Sequence, residues 1–160
     1  MAFELPRQDP CFFCEVIEGR QEKGIVEMTA ETLTFVNWNQ FEVGQVYVIP
    51  RRHAPTLLDL TEDEGAAIFQ AVRRVAAALI WAYEPDGLTL YQNNGVASLQ
   101  EVPHFHMHVV PRRNETGKWD AGPQHIAILE GRMPLKTKGD VRIGMVQEQE
   151  VAAHVRRHMR

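Results

Sequence analysis

Apolar and polar positions change their period several times along the chain, and each period predicts an element. Four short runs are rich in β-branched and aromatic residues and bounded by Gly, Pro or Asn: "TLTFVNW" (32–38), "QVYVIP" (45–50), "LTLYQN" (88–93) and "HFHMHVV" (104–110). They read as strands. Alternation in "ETLTFVN" predicts a strand with one buried face. Between the second and third runs, Ile68, Phe69, Val72, Val75, Ala76, Leu79, Ile80 and Tyr83 recur at helical spacing, which predicts one long helix over 61–83. Thr61 and Glu64 supply a capping box at its start, and "EPDG" (84–87) stops it. The stripe is core packing against a sheet. A shorter helix is expected after "CFFC", ending at Gly19, and a terminal one in "EQEVAAHVRRHMR". Together these elements predict an α+β fold, an antiparallel sheet of about five strands under one long helix. The stretch "RRNETGKWDAGPQ" after Pro111 is polar and turn-rich.

Composition narrows the class. The chain has 160 residues, 44% hydrophobic and 24% charged, as expected of one domain with a real core. A net charge of −4 provides no global basic field, which argues against a general nucleic-acid or anionic-membrane binder. No leader pattern opens the chain and no run reads as membrane-spanning, so the expected location is the cytoplasm. In that compartment the only cysteines, Cys11 and Cys14, are a metal half-site, a redox pair or two buried thiols. His154 and His158 have a spacing that can hold a metal, but neighbouring arginines favour a solvated helix end.

Candidate chemistry concentrates in "PHFHMHVVPRR" (103–113), where His104, His106 and His108 alternate with apolar residues. On a strand the three imidazoles share one face, and Phe105, Met107 and Val109 face the core beneath the long helix. Surface histidines on an edge strand are one reading. A metal site is another, although His104 and His108 would stand about 13 Å apart at their backbones, so one ion takes two at most. A third reading divides the labour between nucleophile, hydrogen-bond donor and structural residue. Neutral imidazole is a competent nucleophile near pH 7 and suits a phosphorus centre, from which it also departs easily.

"HFHMHVV" is similar to the signature of the histidine-triad superfamily of nucleotide hydrolases and transferases. "CFFCEVIEGR", "TFVNW", "VIPRRH" and "NNGVASLQEVPHFHMHVVPR" occur in the family's order and spacing, over about residues 9–113. The resemblance implies a homodimer; the domain is expected over 1–113, with 114–160, which the resemblance does not cover, as a loop and short helix packed on it. It implies that His106 attacks an α-phosphate to form a nucleotidyl-histidine, while His108 hydrogen-bonds the phosphate. Asn93 and Gln100 would contact the phosphate and the leaving-group side, and Asn37 the ribose hydroxyls. Phe12, Phe13, Val16, Phe35 and Trp38 match the base pocket, with Phe12 and Val16 closer to core and Trp38 to pocket wall. Relatives with a CxxC start imply a structural zinc on Cys11, Cys14, His53 and His104, which gives the first histidine its task. The expected substrate is a nucleoside phosphoanhydride, a dinucleoside polyphosphate first, with Mg²⁺ as a companion of the polyphosphate. A phosphoramidate, or a non-catalytic zinc-stabilised nucleotide-binding module, is the alternative.

Two positions depart from the family. Gln45 replaces a histidine beside the triad and cannot titrate. "SLQ" at 98–100 replaces "AGQ", so Leu99 carries a Cβ where glycine allows close backbone approach, and Glu101 would repel a second phosphate. Arg51, Arg52, Arg112, Arg113 and Lys118 are expected near the triad as phosphate partners. Trp119, in the following loop, is a candidate to stack on a base.

Overall fold

The computed structural model describes residues 3–40, 42–113 and 141–159. Lys118 and Trp119 lie outside the described residues. In chain order the elements are α1 (Phe12–Ile17), β1 (Ile25–Met28), β2 (Thr32–Val36), β3 (Asn39–Gln40), β4 (Val46–Pro50), α2 (Glu62–Tyr83), β5 (Gly87–Tyr91), β6 (Met107–Arg112), β7 (Val141–Arg142) and α3 (Met145–Arg156). A five-stranded antiparallel sheet has the order β1-β2-β4-β6-β5, and β3 and β7 form a separate two-stranded ribbon.

Both faces of this sheet are covered. On one, Val36, Val46, Val48, Phe105, Met107 and Val109 pack against Ile68, Val72, Val75 and Leu79 of α2 and Ala152 and Val155 of α3. On the other, Leu33, Phe35, Tyr47 and Ile49 pack against Phe13 and Val16 of α1. All five residues of β2 are therefore buried, where alternation predicted one buried face. A central strand with a helix on each side has no solvent face, and Thr32 and Thr34 are simply its small polar members. Helix α2 keeps its capping box and buries Ile68, Val72, Val75 and Leu79, but Phe69 and Ile80 point outward, 59% and 48% exposed. Its length and apolarity would suffice to cross a membrane, against the expectation that no run reads so, yet one face is bound into the core.

Other boundaries shift. Helix α1 begins within "CFFC", with Cys11 as its N-cap and Cys14 in its first turn, rather than after it. Strand β1 was not anticipated; it is four residues long and irregular between Ile25 and Glu27. Strand β6 begins at Met107, not His104. Pro50 offers no N–H at the level of the triad's start, and the Phe105 N–H instead donates to the Ala54 carbonyl (2.6 Å).

The loop after β4 is fixed to the start of α2. Arg52 donates to both carboxylate oxygens of Glu64 (2.7 Å each) and to the Asp59 carbonyl (2.6 Å), and His53 follows it directly. Arg52 and its neighbouring hydrogen bonds hold the Glu64 carboxyl at about 2, below its ordinary value near 4.5. A depressed carboxylate stabilises the fold above its unfolded value, and that contribution is lost as pH falls from about 4.5 through about 2. Glu64→Gln is expected to cost about 1 kcal/mol at pH 7, because the pair is open to solvent and the cap is weakened. Urea denaturation at pH 7 and pH 2.5 checks this: the gap between wild type and variant should shrink at the lower pH.

Candidate active site and metal centre

Cys11 and Cys14 stand one turn apart on α1, so both sulfurs face the same way. His53 from the loop after β4 and His104 from the turn before β6 meet them there. Cys14 Sγ lies 3.3 Å from His53 Nδ1 and 3.6 Å from His104 Nδ1, and Cys11 Sγ lies 3.7 Å from His104 Nδ1. The four donor atoms all fall within 4.8 Å of one another. Around a tetrahedral zinc with ordinary bond lengths, neighbouring sulfur and nitrogen ligands would be about 3.6 Å apart, so these separations fit that ion. His104 Nε2–H donates to the Pro50 carbonyl (2.9 Å), which leaves the Nδ1 lone pair directed at the thiols. Burial depresses the His104 imidazole to about 4, and burial together with Cys11 pushes the Cys14 thiol up to about 12; a bound cation would reverse the thiol's preference.

The other two triad histidines line a cavity of about 740 Å³. His106 is 4% exposed, and its Nδ1–H donates to the His104 carbonyl (2.7 Å). Nε2 is then a bare lone pair. Burial also lowers the His106 pKa, so the ring is neutral at pH 7. Phe13 and Tyr47 clamp it edge-on at centroid distances of 5.3 and 5.5 Å. His108, 5.0 Å away, stacks on Tyr91 at 3.9 Å. Gln45 Nε2 donates to His108 Nδ1 (3.1 Å) and to the Tyr91 hydroxyl (3.2 Å). An amide N–H can only donate, so the His108 proton sits on Nε2. The two histidines thus present opposite capacities, a lone pair and an N–H.

The remaining expected residues divide. Asn37, Trp38, Asn93, Gln100, Gln45 and Phe13 line the cavity. Asn37 accepts from the Asn39 N–H (2.8 Å) through its side chain. Gln100 is spent on backbone: Nε2 donates to the carbonyls of Pro55 (2.7 Å) and Val102 (2.9 Å), and Oε1 accepts from Gly95 N–H (2.7 Å). It latches the loop rather than offering its amide N–H groups to a ligand. Phe35 is not on the cavity wall; fully buried, it sits behind Phe13 and Tyr47. Leu99 lines the cavity in the left-handed region (φ 62°) and is 65% exposed, so a Leu occupies a conformation that suits glycine.

None of the expected arginines lines the cavity. Arg51 donates to the Thr29 carbonyl, Arg52 binds Glu64, Arg112 lies 3.8 Å from Glu42, and Arg113 donates to the Tyr83 carbonyl. The cation among the described lining residues is Arg142 of β7, and the anion is Glu101. Arg142, Tyr47 and Tyr91 were missed from sequence. Tyr47 had a signal, because its place in "VYVIP" puts it opposite a triad histidine once β4 and β6 pair, and it does pair with His108. Arg142 had none, since only the fold brings β7 to β3.

Comparison with known proteins agrees with this geometry. Residues 18–115 match the HIT domain family. Protein hit of Bacillus subtilis is 34% identical over 102 residues, covering 64% of this chain and 70% of that protein. An adenosine 5'-monophosphoramidase of Schizosaccharomyces pombe is 31% identical over 105 residues, covering 66% of this chain and 76% of the relative. Among solved structures, a HIT-like protein from Bartonella henselae superposes with a TM-score of 0.78 at 21% identity, covering 96% of this chain and 99% of that one. A zinc-bound histidine triad family protein from Mycobacterium smegmatis gives 0.72 at 23% identity, covering 93% and 92%. The matched stretch makes up more than half of the 160 residues, and the chain belongs to the HIT domain family.

Proposed function

We propose that the protein cleaves a nucleoside 5'-phosphoramidate through a nucleotidyl-histidine intermediate. The observation that carries this is the fixed pair of tautomers, a bare Nε2 on His106 beside an Nε2–H on His108. His106 Nε2 attacks the α-phosphorus and forms a P–N bond as the bond to the leaving nitrogen breaks, that nitrogen taking a proton from solvent and departing as a neutral amine. His108 Nε2–H hydrogen-bonds a non-bridging oxygen, where negative charge grows in the transition state. Water then attacks the same phosphorus and returns a proton to solvent, His106 leaves as neutral imidazole, and the nucleoside monophosphate is released. In this reading Asn37 binds the ribose and Trp38 and Phe13 bracket the base.

Charge favours a P–N substrate over a dinucleoside polyphosphate. Val96, Leu99, Glu101 and Val102 line the cavity on the loop leading to the triad, and Glu101 acts electrostatically on His106. A carboxylate and apolar side chains suit an amine leaving group and oppose a second phosphate. The similarity to an adenosine 5'-monophosphoramidase supports the same choice. A dinucleoside polyphosphate remains the second reading, favoured by the cavity's size.

We further propose that Cys11, Cys14, His53 and His104 bind one zinc. When bound, it supplies a cross-link between α1, the loop after β4 and the turn carrying the triad, and no chemistry on the substrate. The ligand separations support this, as does the zinc-bound relative.

The first test compares adenosine 5'-phosphoramidate with diadenosine tetraphosphate by AMP release. Wild type should prefer the phosphoramidate, and His106→Ala should lose at least about a thousandfold. Glu101→Gln should raise kcat/KM for the tetraphosphate by about fivefold. A wild type that turns over neither substrate would end the catalytic reading. The acid limb of kcat/KM should lie below pH 6.5, since burial lowers the His106 pKa and only neutral imidazole attacks.

Gln45→Leu should release the His108 tautomer, visible as altered imidazole ¹⁵N shifts, and lower kcat by about tenfold. Retention of the Nε2–H form in that variant would remove Gln45 from the account. Metal analysis should find one zinc per chain, and chelation should lower Tm by about 10 °C or more. Unchanged melting on chelation would refute the structural zinc.

A further inference from the structure

The C-terminal elements lie beyond the stretch that matches the family, residues 18–115, yet they reach the cavity at its Asn37–Trp38 end. Strand β7 pairs with β3, and the Ile143 N–H donates to the Trp38 carbonyl (2.9 Å). Helix α3 then turns back toward β1. Its Glu148, 2% exposed, accepts from Lys23 Nζ (3.1 Å) through one oxygen and from the Gly24 N–H (3.3 Å) through the other. Gln149 Nε2 donates to the Lys23 carbonyl (3.1 Å). The approach is close enough to need glycine: a Cβ on Gly24 would lie 2.3 Å from the Glu148 carbonyl oxygen.

Lys23 connects this anchor to the cavity. Its side chain is only 10% exposed, and its ammonium stands 4.5 Å from the centroid of the Trp38 ring and 5.6 Å from that of Phe12. Phe12 and Trp38 also meet edge-to-face at 5.2 Å. A buried ion pair gives little stability over an apolar pair of similar volume, because desolvation offsets the attraction. What an apolar pair cannot supply is a cation against an indole in a place largely free of water, where that attraction is strongest.

We propose that Lys23 is a positioning residue for nucleotide binding, held by Glu148 of α3 so that its ammonium fixes the Trp38 indole as the wall on which an aromatic base stacks. This rests on the reading of the cavity as a nucleotide site. The base end of that site is thereby completed by a helix outside the matched stretch. Lys23 contacts no reacting atom, and its effect falls on binding and not on chemistry.

The test measures AMP binding by calorimetry, together with KM, kcat and Tm on the phosphoramidate-cleaving protein. Lys23→Met/Glu148→Gln removes both charges and leaves no buried ion unpaired; Lys23→Met/Glu148→Met serves if the first pair fails to fold. The expected result is a rise of about tenfold in the AMP Kd and in KM, with kcat changed less than about twofold. Lys23→Arg, which keeps a cation able to stack on the ring, should bind AMP within about threefold of wild type. Equal AMP affinity in wild type and the charge-free variant would overturn the proposal, as would Lys23→Arg binding as weakly as the charge-free variant. A wild type that binds no AMP would bring down the nucleotide reading and this inference with it, whereas loss confined to the variants bears on Lys23 alone.

Discussion

His104 is the residue on which both centres depend. Its side chain and its backbone do separate work. Nε2–H is taken by the Pro50 carbonyl, which turns Nδ1 toward the two thiols. Its own carbonyl accepts Nδ1–H of His106 and so strips Nε2 of a proton. The metal-type cluster and the cavity are therefore two ends of one hydrogen-bonded unit. Because His104 precedes regular β6, its carbonyl is not consumed by the sheet ladder and remains available to His106. The late start of β6, which follows from a proline in β4, is thus a condition for the tautomer of the next histidine.

A second unit holds His108. Strand pairing places Tyr47 and Tyr91 on either side of it, opposite on β4 and β5. Gln45 then satisfies His108 Nδ1. A histidine at position 45 could donate the same bond only in the right tautomer; an amide N–H needs no tautomer to do so. The exchange removes titration and leaves orientation. Across the cavity the loop 95–100 is fastened by Gln100 to Gly95, Pro55 and Val102, and that fastening holds Leu99 in the left-handed region. A left-handed leucine costs roughly 1–2 kcal/mol, which the latch must offset.

Much of this was legible in the sequence, and the limits have physical reasons. Helix α2 is readable because apolar residues at a 3.6 period and the Thr61–Glu64 box are local facts. The division of Phe105, Met107 and Val109 from the histidines is readable because it needs only a period of two. Residues 11, 14, 53 and 104 could be joined only through family resemblance, since nothing local links an α1 turn to a loop 39 residues on. Phe35 was placed at the base pocket because the family's motif puts it there, and only the fold shows that, with helices on both sides of β2, it backs Phe13 instead. The arginines were misplaced for a similar reason. Charge type is visible in sequence, but Arg52 is claimed by Glu64 twelve residues away, across the turn into α2.

The consequence for substrate choice comes from which charged side chains line the cavity. Arg142 enters through the β3–β7 ribbon beside Asn39, while Glu101 stands on the loop just before the triad. Along β4 and its partners the order runs from His106, through His108 opposite Tyr47, to Asn37 bonded to Gln45. Cation and anion therefore occupy opposite ends of a cavity whose middle holds His106 and His108. A chain of phosphates running toward the loop would approach Glu101 and move away from Arg142, the cation among the described lining residues. An amine leaving group would meet the reverse field, together with Val96 and Leu99 for its apolar part. In the proposed reaction this field would discriminate by what departs from phosphorus rather than by what remains attached to His106. In the same proposal, recognition of the retained nucleoside would fall to the opposite end, where β7 bonds the Trp38 carbonyl and Lys23, held by α3, lies against its ring.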